Sequence, residues 1–385
     1  MARIRLGLDL RLFGAYHSGL GRYAEELLNA LVSYRHDLDI VVFVNANYAN
    51  KQKLSSLGLE VREAPYRAYS WQEQWYFPRQ LSGAKLDLMH FPHFNVPLMY
   101  RAPYVVTIHD LIMHHFPWRV ASQRAWPVFW LKHLGYRLSV RQAVSRAAAV
   151  IAVSYYTAED ILTYYPKAAG RLRVITEPTP AFDVESSNND NWNELAYNIK
   201  RPYILVVGNF YPHKNLQPLL RVWQRLYPLF KRQLVIVGRP DAFAEGLRAL
   251  AKSLGLVSED RESPVRFLGF IEDNELRQLY GQAEFFLTPS LMEGVGLPGL
   301  EALATGTPVV SSPNGALPET YGRLARYIGV DNDKVMYRAL YKVLTEVQTL
   351  PRPRPYKSAM TLEQMAAALE DCYREAMQSD IHKLT

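Results

Sequence analysis

Two carboxylates eight residues apart, Glu293 and Glu301, bracket the densest chemical signal in the chain, Ser290-Leu-Met-Glu-Gly-Val-Gly-Leu-Pro-Gly-Leu-Glu-Ala-Leu-Ala-Thr-Gly-Thr-Pro308. The first falls in a glycine-rich turn after the apolar run Phe285–Leu287, the second one turn into a helical pattern. That spacing lets the pair accept hydrogen bonds from two ends of one polyhydroxylated ligand. Between them Gly296 and Leu297 offer backbone amides at a helix start, where unpaired N–H groups and the helix dipole favour a diphosphate. The plainer reading makes Glu301 a partner of the helix dipole and Glu293 a turn acid. A cation fits the same ligand. The buried run Tyr203–Val207 ends at Gly208, and Lys214 follows just ahead of a helix expected from Leu216, with Asn215 able to cap it. An ammonium beside helix N-terminal amides suits a phosphate; taken alone, it could equally be a solvated loop lysine.

Other motifs carry less. Gly19-Leu20-Gly21-Arg22-Tyr23-Ala24 has the form of a dinucleotide fingerprint, but eight residues separate it from Leu10, where its strand should end. The second strand ends in Val44-Asn45, with no acid to hold a ribose, so nicotinamide or flavin binding is disfavoured. A glycine loop running into a helix still approaches a phosphate or sugar closely. The Asp-x-Asp triplets, Asp37-Leu38-Asp39 and Asp331-Asn332-Asp333, have no other carboxylates nearby in sequence and read as surface turns, so no metal site is indicated.

The elements that must position these groups alternate apolar runs with helical patterns, the mark of parallel sheets covered on both faces. One series comprises Arg3–Leu10, Ile40–Val44, Leu86–Phe91, Tyr104–Ile108, Ala148–Val153 and Leu172–Ile175, with helices such as Arg22–Tyr34 and Tyr155–Tyr164. A second comprises Tyr203–Val207, Leu234–Val237, Val265–Leu268, Phe285–Leu287 and Val309–Ser311. The expected organisation is an N-terminal domain over 1–180, a linker over 181–200 within the polar stretch Glu177–Lys200, and a C-terminal domain over 201–360. A final helix over 361–385 opens with the capping box Thr361-Leu-Glu-Gln364. Its apolar positions Leu362, Met365, Ala366, Leu369, Cys372, Tyr373 and Ala376 follow the helical period, so it packs against something. Ligands of open parallel sheets bind beyond the carboxyl ends of the strands, and two such domains facing one another would place the site in the cleft between them.

Composition sets bounds. With 385 residues, 49% apolar and 21% charged, the chain is long enough for two full cores and excludes disordered or collagenous classes. A single cysteine, Cys372, permits neither an intrachain disulfide nor a thiolate zinc site. Arg5, Asp9 and Arg11 interrupt the first apolar stretch, and no apolar run approaches the about 18 residues of a membrane span. The expectation is a cytosolic protein, free or peripheral at the inner face of the membrane. The net charge of +7 resides in Tyr66–Arg146, which holds ten Lys/Arg against Glu73, Asp87 and Asp110, together with five of the seven tryptophans. Within it Arg119–Arg146 has six Lys/Arg and no acid. Such a basic, aromatic region suits an anionic membrane or acceptor, or a packed helical layer with a solvated cationic face. Nucleic acid is disfavoured because no recognition motif accompanies the charge.

The segment Val265–Glu319, VRFLGFIEDNELRQLYGQAEFFLTPSLMEGVGLPGLEALATGTPVVSSPNGALPE, resembles the donor-binding half of retaining glycosyltransferases of family 4, in the GT-B fold group. The likeness extends over nearly the whole chain. GLDLRLFGAYHSGLGRYAEELLNAL is similar to that family's N-terminal glycine loop and first helix, TIHDLIMHHFP to a strand end, VSYYTAEDI to a helix start, and VGNFYPHKN to the lysine-bearing donor loop. The resemblance implies an α/β protein of GT-B fold, two Rossmann-like doubly wound domains facing across a cleft with the C-terminal helix crossing back. It implies that Glu301 binds ribose hydroxyls and Glu293 donor-sugar hydroxyls, while Lys214 and the amides around Gly296 and Leu297 hold the diphosphate, with Gly294 also in the donor site. Asn209, His213, Gly269 and Phe270 join them in the donor site, and Gly19 and Gly21 close over it from the other domain. His109 would face the transferred sugar near its reacting carbon, its plainer role being to stabilise a turn. Many relatives have arginine where this chain has Asn209 or His213, which leaves diphosphate neutralisation mostly to Lys214.

The implied reaction moves a hexosyl group, with retention and without metal or cofactor, from a nucleotide-diphosphate sugar such as a UDP- or GDP-sugar to a saccharide or lipid-linked acceptor. The competing classes are a nucleotide-sugar epimerase of the same architecture and a non-catalytic nucleotide-binding relative.

Overall fold

The computed structural model describes residues 3–11, 19–35, 37–45, 51–116, 126–178, 197–260, 262–350, 352–354, 356 and 360–381. They fall into two compact units, one within Met1–Leu111, Ala125–Pro178 and Ala359–Thr385, the other within Ile112–Arg124 and Thr179–Ser358. Most of the expected linker lies outside the described residues.

The first unit is built on a seven-stranded parallel sheet: β1 Ile4–Asp9, β2 Leu38–Val44, β3 Glu60–Glu63, β4 Leu88–Phe91, β5 Tyr104–Ile108, β6 Ala149–Ala152 and β7 Leu172–Val174. Its spatial order is β3-β2-β1-β4-β5-β6-β7. The chain therefore builds outward from β1 in one direction, then crosses back to add β4 on the other side, which makes the β1/β4 boundary the switch point.

The second unit has six parallel strands: β8 Tyr203–Val207, β9 Gln233–Val237, β10 Val265–Phe267, β11 Phe285–Thr288, β12 Val309–Ser311 and β13 Ala325–Tyr327, in the order β10-β9-β8-β11-β12-β13. Here the switch point lies between β8 and β11. Side chains alternate faces along each strand. Ile204 and Val206 of β8, with Leu234 and Ile236 of β9, enter one core alongside Leu219, Trp223 and Met336. Tyr203 and Leu205, with Val235 and Val237, enter the opposite core with Leu279, Tyr280 and Tyr321. Burial on both faces explains why these strands read as continuous apolar runs.

Two strands escape the sequence reading, β3 and β13, both at sheet edges and only partly buried. Glu60-Val-Arg-Glu63 and Ala325-Arg-Tyr327 carry charge because an edge needs only one covered side. The helix Tyr155–Tyr164 forms as expected, with the Ser154 hydroxyl accepting from the Thr157 amide at its start. The final helix, Leu362–Ile381, opens with the reciprocal capping box: Thr361 N donates to Gln364 Oε1 at 2.9 Å and Gln364 N to Thr361 Oγ1 at 3.2 Å. It packs on the helix Gly19–Tyr34 and on β5 and β6, burying Met365, Ala366, Leu369, Cys372, Tyr373 and Ala376. Of the seven apolar positions only Leu362 is partly exposed.

Candidate active site

In the second unit the chemistry gathers at the carboxyl ends of β8 and β11, on either side of the switch point. The loop after β8 turns through Pro212–Lys214, and the loop after β11 carries Ser290 and Glu293. The Leu291 amide donates to the His213 carbonyl at 2.7 Å and pins the loops together. This places Lys214 Nζ 2.6 Å from Glu293 Oε1, the same oxygen that accepts from the Ser290 hydroxyl at 2.6 Å. Glu293 Oε2 takes no hydrogen bond from the described residues and is free for a ligand hydroxyl. Burial would raise the Glu293 carboxyl, but Lys214, His213 and the two hydrogen bonds outweigh it and hold it below its ordinary value. The group is therefore an ionised acceptor at neutral pH.

Close backbone packing makes this possible. Gly208 has φ +150°, and a side chain there would meet the Lys214 ammonium. Gly315, at φ +62°, passes so close that an added Cβ would stand 2.7 Å from both the nitrogen and the oxygen of the Glu293 backbone. Gly296 is the N-cap of the helix Leu297–Ala304, with φ +92°. Its carbonyl accepts from the buried Tyr321 hydroxyl at 2.6 Å, which fixes the turn presenting the Leu297 amide.

Glu301 lies one turn into that helix, as expected, buried and accepting from the Tyr280 hydroxyl at 2.8 Å. His213 is buried, and burial together with Lys214 pushes it down to about 4, so it is neutral; its Nδ1 has no hydrogen-bond partner among the described residues. Asn209 is exposed, its side-chain oxygen accepting from the Tyr211 amide. At the end of β10, the Gly269 carbonyl accepts from Gly238 N, and Arg239 stands 5.2 Å from the exposed Phe270 ring. Gly294 lies in the Glu293 turn. Asn215 corrects one expectation. It precedes the helix Leu216–Phe230 but adopts a left-handed conformation and makes no side-chain cap, donating instead to the Val330 carbonyl.

The first unit has its own constellation. His109 follows β5 with both ring nitrogens engaged, Nε2 with the Pro92 carbonyl at 2.9 Å and Nδ1 with Glu177 Oε1 at 3.2 Å, and Tyr23 meets it edge-on at 4.6 Å. Burial opposes its charge, yet the Glu177 hydrogen bond and charge, with Pro92 and Asp110, raise its pKa overall. The pair thus adds stability fully present below the unfolded value of about 6.5 and lost as pH rises through the raised folded value. In Glu177→Gln that pH-dependent contribution should disappear, and the histidine proton shifts should titrate at lower pH; an unmoved titration would contradict the pairing.

Gly19 begins the helix Gly19–Tyr34, with no atom of the described residues within 4 Å of where a Cβ would stand. Gly21 sits buried inside the first turn rather than in a preceding loop, which corrects the expected start at Arg22. The Asp-x-Asp triplets bind other side chains: Asp37 pairs with Arg374, Asp39 with Arg5, and Asp333 with Arg221, while Asn332 caps the helix Asp333–Thr345. Asp39 lies in β2 rather than in a turn.

At the β1/β4 switch point a cavity of about 210 Å³ opens, lined by Asp9, Arg11, Asn45, Tyr66, His93 and Asn95, among others. Arg11 grips Asp9 through two hydrogen bonds at 2.7 and 2.8 Å and pairs with buried Glu73 at 2.7 Å. Glu73 in turn accepts from Asn95 Nδ2. Burial pushes His93 down to about 3, so it is neutral. The wall is thus polar, internally paired and partly aromatic.

The profile of glycosyltransferase family 4 matches residues 17–178, and that of the glycosyl transferases group 1 matches residues 201–346. The chain belongs to glycosyltransferase family 4. The O-antigen chain mannosyltransferase RfbU of Salmonella typhimurium is 25% identical over 358 residues, 87% of this chain and 90% of that one. An O-antigen chain mannosyltransferase B of Escherichia coli is 28% identical over 330 residues, 79% of this chain and 81% of that one. The solved sucrose-phosphate synthase of Thermosynechococcus elongatus superposes with a TM-score of 0.68 at 19% identity, covering 99% of both chains. The fold is GT-B and the chain is a glycosyltransferase.

In this glycosyltransferase the sequence alone points to no role for Glu177, Ser290, Tyr280, Tyr321 or the Asp9–Arg11–Glu73 group. Asp9 and Arg11 are legible as polar residues at the carboxyl end of a buried strand and just beyond it, the position where open sheets bind ligands. Glu177 carried no such signal, because it opens a polar stretch that reads as connection.

Proposed function

We propose that this glycosyltransferase moves a hexosyl group, with retention and without a metal ion or cofactor, from a nucleotide-diphosphate sugar to a hydroxyl of a saccharide or lipid-linked acceptor in polysaccharide assembly. The observation that carries the reading is the Lys214–Glu293 pair at the switch point of the second unit, beside the amides of Gly296 and Leu297. The mannosyltransferase relatives favour a mannosyl group, and UDP or GDP is the expected carrier.

Departure of the nucleotide breaks the anomeric C–O bond through an oxocarbenium-like state while negative charge grows on the diphosphate. Lys214 keeps two further protons to offer that charge, and the helix-start amides offer theirs. Glu293 is ionised and accepts sugar hydroxyls through Oε2, which orients the ring without attacking it. Glu301 accepts from the ribose. His109 acts by exchanging the Pro92 carbonyl for a sugar hydroxyl at Nε2. The acceptor hydroxyl then attacks from the face the diphosphate leaves, and a departing phosphate oxygen takes its proton. Retention therefore needs no covalent sugar on the protein. The anomeric configuration of the first-formed product, read by proton NMR in EDTA, tests this: retention at an undiminished rate is expected. Inversion, loss of rate in EDTA or a glycosyl adduct trapped on His109 or Glu293 contradicts it.

The acceptor sugar belongs in the cavity of the first unit. Its volume is below the roughly 300–1,000 Å³ of sites for drug-sized ligands, which suits a single ring. Loss of a neutral hydrogen-bonding side chain there, in His93→Ala, should raise the acceptor KM about tenfold and leave the donor KM unchanged. A change confined to the donor KM would move the acceptor elsewhere.

A further inference from the structure

The helix Trp126–Arg146 packs inward through Tyr136, Val140, Ala143 and Val144. Its opposite face is also apolar. Leu131 is 72% exposed, Leu134 54% and Leu138 52%, at a spacing that aligns them along one side of the helix. Lys132, Arg137 and Arg141 are exposed among them, with no acid anywhere in the helix. A cationic face that is merely solvated has no use for three aligned leucines, and apolar surface clustered in this way marks an interaction site.

The strip continues past the helix. The Leu98 carbonyl accepts from Gln142, one turn beyond Leu138, and the Leu98 amide donates to Gln74 at 2.7 Å. Gln74 shares a side of the helix Trp71–Gly83 with Trp71, which is 82% exposed, and Trp75 beside it is 50% exposed. Leu98 and Met99 are themselves exposed between the two helices. Arg79, over the Trp75 ring, and Arg101 extend the cationic margin.

We propose that the first unit docks on an anionic lipid surface through this strip, the leucines and tryptophans entering the headgroup boundary and the flanking lysine and arginines meeting lipid phosphates. The charge decides the occupant. Leucine and tryptophan flanked by Lys and Arg make the pattern of an interfacial helix, whereas a protein partner of ordinary composition offers no excess of negative charge. No described helix is long and apolar enough to cross a membrane, so the contact is peripheral. The inference deepens the lipid-linked acceptor reading by bringing the acceptor cavity's unit to the surface where such an acceptor resides.

The test is flotation of the full chain with phosphatidylcholine vesicles, with and without phosphatidylglycerol, in the absence of any donor. Binding to the phosphatidylglycerol vesicles, weakened by salt, is expected. Exchanging Lys132, Arg137 and Arg141 together for glutamine should lower the partition coefficient about a hundredfold, at about a factor of five per cation. Leu131→Ser, Leu134→Ser and Leu138→Ser combined should cost a similar factor. Both variants should keep the parent melting temperature and turnover on a soluble acceptor. Failure to float with phosphatidylglycerol vesicles, equal binding to phosphatidylcholine alone, or a leucine variant that floats like the parent would overturn the proposal. Vesicle binding by a protein that transfers no sugar would instead overturn the reaction reading and leave this one standing.

Discussion

Lys214→Ala is expected to lower kcat about 10²–10³-fold, the loss that follows removal of one preorganised group from a developing oxyanion. The effect reaches further than one missing charge, because Lys214 is also what keeps Glu293 ionised. With the ammonium gone, burial of Glu293 is less opposed and its pKa rises. A depressed carboxylate contributes stability that is present above its unfolded pKa, near 4.3, and is lost as pH falls through the folded value. That contribution should shrink in Lys214→Ala, and the acid limb of the activity profile should move toward neutrality. The two residues touch, so Lys214→Ala and Glu293→Ala should combine with less than additive losses. Nucleoside diphosphate binding by the variant separates a chemical defect from collapse. A variant that turns over within threefold of the parent would remove Lys214 from the mechanism.

Gly238→Ala is the second large effect, and it acts through backbone. An added Cβ would stand 2.0 Å from the Gly208 carbonyl oxygen and 3.1 Å from the Phe210 ring. The carbonyl belongs to the strand end from which the Lys214 loop departs, so relief requires moving that strand end or β9. Overpacking of this kind costs about 3 kcal/mol or more, and in a unit of this size each kcal/mol lowers Tm by about 2–4 °C. A fall of roughly 6–12 °C in Tm, with weaker donor binding, is expected. Calorimetry checks the first and nucleotide titration the second; an unchanged Tm would contradict the close approach of the two chains.

What the sequence disclosed and what it concealed divide along a physical line. Strands buried on both faces, such as Tyr203–Val207 and Phe285–Thr288, announce themselves as apolar runs, and their ends locate Lys214 and Glu293. The edge strands Glu60–Glu63 and Ala325–Tyr327 do not, since half of each is wet. The eight-residue spacing of Glu293 and Glu301 and the helix start at Leu297 were legible because they are local. The contact between Lys214 and Glu293 spans 79 residues and was not, and the roles assigned to them separately now meet in one ion pair. Glu177 is the extreme case. It precedes a proline in a polar stretch, and only a partner 68 residues away, His109, gives it a task. Asn215 shows the reverse, a good capping residue whose left-handed backbone turns its side chain to Val330 instead.

The most direct test of the account is release of nucleoside diphosphate. The purified protein would be incubated with UDP-, GDP-, ADP- and TDP-sugars and mixed simple acceptors, with EDTA and then with magnesium, and the products separated by chromatography. Release from one donor in EDTA, lost in both Glu293→Ala and Lys214→Ala, is the predicted result. Release that persists in those variants, or isomerised nucleotide sugar formed without any acceptor, would contradict it.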